Sequence, residues 1–257
     1  MEEKNNNCTE FVSQQGNLDI NNPIIKILLK IKPKKRHFGF LKNILKIKRL
    51  ILGSKIDEIH WSNKYLNKEK EIIDEYKSNN HRLYLLDKIK EIPFDSAIEI
   101  GTNWGPNLQM IMKYLPDKDL TGIDISNECI NIGNKLFIED GYNNIKLIYG
   151  NINDYNFEKK KYDLTFSWAC LIYIDSNKIE SVIDKIMSIT NKRILLAEFH
   201  DESINKTKWD NNWIHNYKRL FSKYDHKIVN IQITKIKEMN NSSIWQKYGY
   251  FIDVLLK

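Results

Sequence analysis

Three short stretches of the chain carry chemically useful residues at telling distances from one another. The first, Ala97 to Asn107 (AIEIGTNWGPN), ends an apolar run at Gly101, and Gly105 follows four residues later with Pro106 directly behind it. Glycine at 101 permits a tight turn and close approach of a ligand to the backbone, and proline suits the first position of a helix, where no N–H is needed. A helix starting there offers free N–H groups and a partial positive charge to an anion. The second stretch, Gly122-Ile123-Asp124-Ile125-Ser126, sets a carboxylate 23 residues after Gly101. That is about where an acid of a nucleotide-binding sheet accepts both hydroxyls of a ribose. The third, Tyr149-Gly150-Asn151-Ile152, pairs a polar side chain with an apolar one, suited to bonding an adenine amino group and packing on its ring. The parts fit an adenosine ligand. Neither the G-K-[ST] of a phosphate-cradling loop nor the G-x-G-x-x-G of a dinucleotide site is present, which weighs against ATP and NAD(P).

These stretches need strands to present them, and the hydrophobic pattern supplies them. After Pro93, strand-like runs at Ser96–Ile100, Leu120–Ile125, Ile145–Tyr149, Tyr162–Trp168 and Arg193–Phe199 alternate with helical ones near Pro106–Leu115, Asn127–Glu139 and Asn177–Ser188. Such alternation predicts a parallel sheet with crossover helices, whose ligands bind beyond the carboxyl ends of the strands. Lys227–Ile233 and Tyr248–Leu256 are two further strand-like runs with no helical pattern between them, read as an antiparallel hairpin at one sheet edge. Residues 57–92 read as helical in two pieces broken near Ser78-Asn79-Asn80, capping a catalytic domain over 93–257.

The remainder bounds the function. Net charge is +7, yet eleven lysines and arginines and no acid fall between Asn21 and Ile56, so the rest of the chain is slightly acidic. In that segment Phe40, Ile44, Ile47 and Ile51 recur at helical spacing opposite Lys42, Lys46 and Arg49, with Gly53 as C-cap. A basic amphipathic helix over 21–56 is expected, and residues 24–52 fit a solvated cationic face or an anionic membrane surface. Nucleic acid ranks behind both, because isoleucine and lysine dominate where aromatic or arginine contacts would be needed. Residues 1–20 are polar and aperiodic, a disordered tail with no signal-peptide pattern. Three cysteines (Cys8, Cys129, Cys170) make no CxxC pair, so a reducing, cytoplasmic setting and no metal site are expected.

Glu99-x-Gly101-x-x-x-Gly105-x-Asn107, Asp124 and Gly150-Asn151-Ile152 together resemble the motif series of class I S-adenosylmethionine (SAM)-dependent methyltransferases. The resemblance covers about residues 94–200, and the terminal hairpin extends it to Lys257. It implies a Rossmann-like α/β fold, a seven-stranded mostly parallel sheet with helices on both faces and an antiparallel terminal hairpin, here with an N-terminal helical extension. It implies SAM as cofactor and S-adenosylhomocysteine (SAH) as product. Gly101, Thr102, Asn103 and Gly105 would line the methionine moiety, Glu99 would lie near its ammonium, and Asn107 completes that motif. Asp124, followed by Ile125, would hold the ribose, and Asn151 and Ile152 the adenine. Ser167 and Trp168 would border the methyl-transfer face, with Trp61 closing over the cofactor. A narrower likeness rests on His60-Trp61-Ser62, His81-Arg82, Leu171-Ile172-Tyr173-Ile174 and Arg193–Phe199. These are similar to methylases of bacterial surface-sugar pathways, of the pseudaminic acid biosynthesis-associated type, although Tyr173 stands where those often carry histidine.

On that resemblance the chain is a methyltransferase that O-methylates a sugar, sugar nucleotide or other small metabolite of capsule or surface-polysaccharide synthesis. A hydroxyl acceptor needs its proton removed, and His200, Glu198, Tyr173 and Asp201 are the candidate bases near the fourth and fifth strand ends. Each also has a plain structural reading: Glu198 as a hydrogen-bonded strand-end carboxylate, His200 as a loop histidine, His81 and His215 as structural or surface residues. Trp61 with Tyr65, and Trp209 with Trp213, stand at i and i+4, a spacing that suits packing as well as a binding wall. Other functions remain open: N-methylation of a small metabolite, RNA or DNA methylation, or a non-catalytic SAM-binding module that docks at membranes. Ser167-Trp168-Ala169-Cys170 holds no proline where amino-methylating nucleic-acid enzymes carry Pro-Pro-aromatic.

Overall fold

The computed structural model describes residues 55–78, 83–157, 161–203, 207–209, 212–237 and 243–257. The polar tail, the basic segment up to residue 54 and His81-Arg82 lie outside the described residues. Two compact units divide the chain, Met1–Ile59 and His60–Lys257; of the first only Lys55–Ile59 is described.

Seven strands form one sheet: β1 (Ser96–Ile100), β2 (Asp119–Asp124), β3 (Ile145–Tyr149), β4 (Tyr162–Trp168), β5 (Thr190–Phe199), β8 (Ile228–Lys235) and β9 (Gly249–Leu256). Their order is β3-β2-β1-β4-β5-β9-β8. The first five pair in parallel, and β9 runs antiparallel to both β5 and β8. The sheet turns back between β1 and β4, which makes their carboxyl ends the place for a ligand. Four of the five residues of β1 are buried, as a central strand covered on both faces requires.

Helices α1 (Lys55–Asn63), α2 (Glu69–Ser78), α3 (Leu83–Lys90), α4 (Pro106–Tyr114), α5 (Asn127–Glu139), α6 (Ile179–Ile189), α7 (Tyr217–Ser222) and α8 (Ser243–Tyr248) complete the described elements, apart from two single 3-10 turns and a two-stranded ribbon. Two apolar clusters sandwich the sheet. One gathers Leu85, Leu86, Ile89, Leu108, Ile111, Cys129 and Phe137 with Phe166, Leu195 and Phe251. The other gathers Ile98, Ile100, Ile152, Val182, Ile183, Ile186, Ile194 and Leu196 with Tyr217 and Phe221. Residues buried at 179, 182, 183, 186, 187 and 189 make one continuous stripe on α6, as a helix pressed on a sheet needs.

Three local expectations change. A short helix, α8, lies between the last two strands, because Trp245 is buried there with its ring 4.7 Å from that of Phe199. The end is still an antiparallel pair, with β9 inside the sheet and β8 at its edge. Residues 57–92 hold three helices, and an additional break falls at Asn67, whose φ of 60° ends α1's neighbourhood in a left-handed turn. Trp209 and Trp213 share no helix: the ribbon β6 (Thr207–Trp209) and β7 (Asn212–Ile214) separates them, with Trp209 facing Asn212 and Trp213 facing Lys208 in register.

Candidate active site

At the end of β1 the chain makes a turn built around two left-handed glycines, Gly101 (φ 77°) and Gly105 (φ 89°), with Asn103 (φ 57°) between them. A Cβ on Gly101 would lie 2.2 Å from Cys170 Sγ, and one on Gly105 would lie 2.8 Å from the Phe137 ring. Both positions exclude any side chain. Gly101 and Thr102 donate their N–H groups to Ile123 O at 2.9 and 3.1 Å, which ties the turn to β2. Beneath it Glu99 is buried, accepting from Thr102 Oγ1 at 2.8 Å and from Asn107 Nδ2 at 2.5 Å. Glu99 therefore sets the shape of the turn. α4 begins at Pro106 without a side-chain cap.

Asp124 closes the neighbouring wall. Its Oδ2 accepts from Asn103 N and its Oδ1 from Ser126 N, both at 2.8 Å. Burial pushes its carboxyl above the ordinary range, and the N–H groups of Asn103, Ser126 and Ile125 oppose that rise. Two bonded N–H groups leave lone pairs on both oxygens for two further donors, the demand of a ribose diol. At the end of β3, Asn151 Oδ1 accepts from Asn153 N at 3.0 Å, forming an Asx turn. Ile152 packs inward with Ile123 and Phe157, and Ile125 is half-buried. Asn103 Oδ1 is buried without a hydrogen-bond partner among the described residues. An orphaned acceptor in a glycine turn, beside an uncapped helix start, fits a ligand bearing a donor such as an ammonium.

The β4 and β5 ends behave differently. Ser167 is buried and donates through Oγ to Glu198 Oε1 at 2.7 Å, with Ile100 O at 3.2 Å. Glu198 is 0% exposed. Its Oε1 also accepts from Cys170 N and its Oε2 from Ile172 N, each at 3.1 Å. Burial raises this carboxyl to about 7 despite those bonds. The same turn is held from the other side by His215, whose Nε2 donates to Leu171 O at 3.2 Å and whose imidazole is pushed down to about 4 by burial. The result is a 3-10 turn, Leu171–Tyr173, that lays Tyr173 against Trp61 with ring centroids 4.3 Å apart. Lys64 Nζ stands 4.1 Å from the centroid of the Trp61 ring.

Of the four candidate bases, Tyr173 alone pairs with Trp61 at the open side of this turn. His200 is buried, its Nδ1 standing 3.2 Å from both Tyr217 N and the carbonyl oxygen of His215, and burial lowers its basicity. Asp201 holds its own loop through Oδ1, which accepts from Ser203 N and Oγ at 2.8 and 2.6 Å, and Ser203 lowers its carboxyl below the ordinary range. Trp168 is half-buried and stacks at 6.4 Å with Trp245. Sequence reasoning missed Cys170 as the filler beneath Gly101, where the only signal was a small residue just past a strand end. It also missed Tyr217, whose fully buried hydroxyl has no partner among the described residues.

Residues 97–193 match the family model described as "Methyltransferase domain". Those residues form a methyltransferase domain. No curated protein matches the chain. Among solved structures the methyltransferase is similar to magnesium protoporphyrin IX methyltransferase from Synechocystis PCC 6803 with bound SAH, at 11% identity and TM-score 0.55 over 79% of this chain and 99% of that one. It is similar to the N-methyltransferase NodS from Bradyrhizobium japonicum WM9 in complex with SAH, at 12% identity and TM-score 0.52 over 70% and 87% of the two chains. Geranyl diphosphate methyltransferase, in complex with GPP and sinefungin, is similar at 15% identity and TM-score 0.51 over 67% and 76%. The fold is the seven-stranded methyltransferase fold, and the enzyme is a SAM-dependent methyltransferase. Among the described residues no helix is long and apolar enough to cross a membrane.

Proposed function

We propose that this methyltransferase modifies a hydroxyl of a sugar or sugar nucleotide made for a bacterial surface polysaccharide. The observation that carries the reading is the paired Trp61 and Tyr173 rings beside the β4 end. Flat aromatic faces suit the C–H faces of a sugar ring, and both residues fall in the stretches that resemble surface-sugar methylases. Bound SAM supplies an activated methyl group on a sulfonium. In this reading Gly101 to Gly105, the orphaned Asn103 Oδ1 and the α4 start hold the amino-acid end of the cofactor, Asp124 the ribose, and Asn151 the adenine edge. The protein's part is chiefly positioning. Tyr173 orients the acceptor, and its phenol, held above its ordinary pKa by burial and by Glu198, stays a donor.

In this reading none of the four candidate bases takes the acceptor's proton, which passes to solvent as the C–O bond forms. The neighbouring structures act on a porphyrin and on a prenyl diphosphate by their names, so the fold leaves the acceptor open. The test is transfer of radiolabelled methyl from SAM to a panel of UDP- and CMP-linked sugars, with RNA and a primary-amine metabolite alongside. Label in a sugar O-methyl ether supports the proposal, and label only in RNA or the amine overturns it. The basic residues 24–52 are proposed to bring the enzyme to anionic membranes. Equal sedimentation with phosphatidylglycerol vesicles by the full chain and a chain lacking residues 1–53 would refute that.

A further inference from the structure

Glu198 is a carboxylate that the plain strand-end reading leaves in an unusual position. It is fully buried, it receives hydrogen bonds from Ser167, Cys170 and Ile172, and among the described residues no basic side chain interacts with it. Buried carboxylates are ordinarily paired with a cation or kept neutral. Arg193, on the same strand, shows the ordinary solution, with a bidentate bond to Asp253 at 2.7 and 2.6 Å. Among the described residues Glu198 has no such partner. The titratable groups around it are Cys170 and Tyr173 on the turn and Tyr217 at the start of α7, all held uncharged by burial. Cys170 also feels Asp124 and Glu99, so the described surroundings add negative charge.

Two short links connect Glu198 to the cofactor turn. Ser167 Oγ touches both Glu198 Oε1 and the carbonyl of Ile100, the last residue of β1. Cys170, whose N–H Glu198 holds, fills the space where Gly101 would carry a side chain. Only one residue's thickness separates this carboxylate from the wall along which the cofactor lies in the function proposed above, and the inference rests on that placement. We propose that Glu198 is the counter-charge for the sulfonium of SAM and makes the site prefer the cationic cofactor over its uncharged product. Cofactor binding then releases the Glu198 proton to solvent. Once the S–CH3 bond has broken and its electron pair has returned to sulfur, the sulfide carries no charge and Glu198 takes a proton back. Burial lifts the Glu198 carboxyl to about 7, which puts this exchange near neutrality.

The experiment is calorimetric titration of the full chain with SAM, with SAH and with sinefungin, whose amine carries positive charge in place of the sulfonium. SAM and sinefungin are expected to bind about tenfold more tightly near pH 8 than near pH 6, with SAH changing less than about twofold. At about pH 7 the SAM enthalpy should vary with the ionisation enthalpy of the buffer, and the SAH enthalpy should not. Glu198→Gln should remove the pH slope and reduce the preference for SAM over SAH by roughly tenfold. Parallel pH dependence of SAM and SAH in the unaltered enzyme overturns the inference, as does an unchanged SAM-to-SAH ratio in the variant. Should the variant not fold, the wild-type series decides by itself. Binding of neither ligand overturns the cofactor placement and this inference with it, whereas equal binding of both overturns this inference alone.

Discussion

Replacing Gly101 with alanine tests the fit between the glycine turn and the β4 end. Two penalties follow from the structure. Alanine at φ 77° loses about 1–2 kcal/mol relative to glycine, because the left-handed region crowds Cβ against the carbonyl. The new Cβ would also stand 2.2 Å from Cys170 Sγ and 2.4 Å from Cys170 Cβ, where unstrained carbon contacts need roughly 3.5–4 Å. Cys170 has little room to retreat, since its N–H is held by Glu198. Overpacking of this kind costs about 1–3 kcal/mol. Together the loss is roughly 2–5 kcal/mol, a fall in melting temperature of about 5–15 °C for a unit of this size. Gly141 provides the control, because it has φ 78° and nothing within 4 Å of its would-be Cβ. Gly141→Ala should show the backbone penalty alone, about 1–2 kcal/mol. Adding Cys170→Gly to Gly101→Ala should restore about 1–3 kcal/mol, read as a coupling energy by chemical denaturation of the four species in the cycle. Equal destabilisation by the Gly101 and Gly141 substitutions, with no coupling to Cys170, would show that the β4 end does not brace the turn.

Asp124→Asn should weaken SAM binding by about 10- to 100-fold, because an amide donates toward Asn103 N–H and loses charge-assisted bonding to the ribose; calorimetry that finds the affinity within about twofold would refute the ribose assignment. His215 should withdraw stability as pH falls from 6.5 toward 4, because it binds its proton at about 4 when folded and at the ordinary 6.5 when unfolded. That contribution reaches about 3 kcal/mol, read as the change with pH of the stability difference between the parent and His215→Gln in denaturant titrations. Glu198 acts in the opposite sense in the ligand-free enzyme, withdrawing about 3 kcal/mol as pH rises from 4.5 through about 7, so the two contributions offset one another between about 4.5 and 6.5 and each shows when the other residue is replaced. Glu198→Gln, melted without ligand near pH 8, should therefore match or exceed the parent; a lower melting temperature there would show that the three hydrogen bonds outweigh desolvation.

Much of this was written plainly in the chain, because the strands of a central parallel sheet are buried on both faces and read as short apolar runs. Ser96–Ile100, Ile145–Tyr149 and Tyr162–Trp168 were legible to the residue, and Asn127–Glu139 likewise, with Ser126 capping it by accepting from Cys129 N. Gly101, Gly105 and Asp124 announced themselves because glycine at a strand end and an acid at the next are chemically specific. What stayed hidden depends on contacts across the sheet. Nothing in Ser243–Tyr248 marks a helix except the need to bury Trp245 against Phe199, which no local pattern contains. Likewise, Glu198, His200 and Asp201 look interchangeable as bases in sequence. Only packing shows that one is a buried strut, one has its Nδ1 against Tyr217 N and His215 O and one caps its own loop.

Three carboxylates ring the proposed cofactor site, and the partners of each define a different task. Glu99 receives two side-chain donors, Thr102 and Asn107, and so fixes the turn that follows it. Asp124 receives backbone N–H groups on both oxygens, from Asn103 and Ser126 with Ile125 beside them, and can still accept from a ligand. Glu198 receives a hydroxyl and backbone N–H groups yet remains buried beyond what they offset, which is why its proton is held so strongly. It shares the Leu171–Tyr173 turn with His215, a base kept neutral as far as Glu198 is kept acidic. The acid and the base therefore bracket the same turn with opposite dependence on pH, and their contributions offset one another between about 4.5 and 6.5. A site meant only for stability would replace both with apolar side chains. Their presence under the aromatic pair makes sense if the charge they manage arrives with the cofactor and leaves with the methyl group.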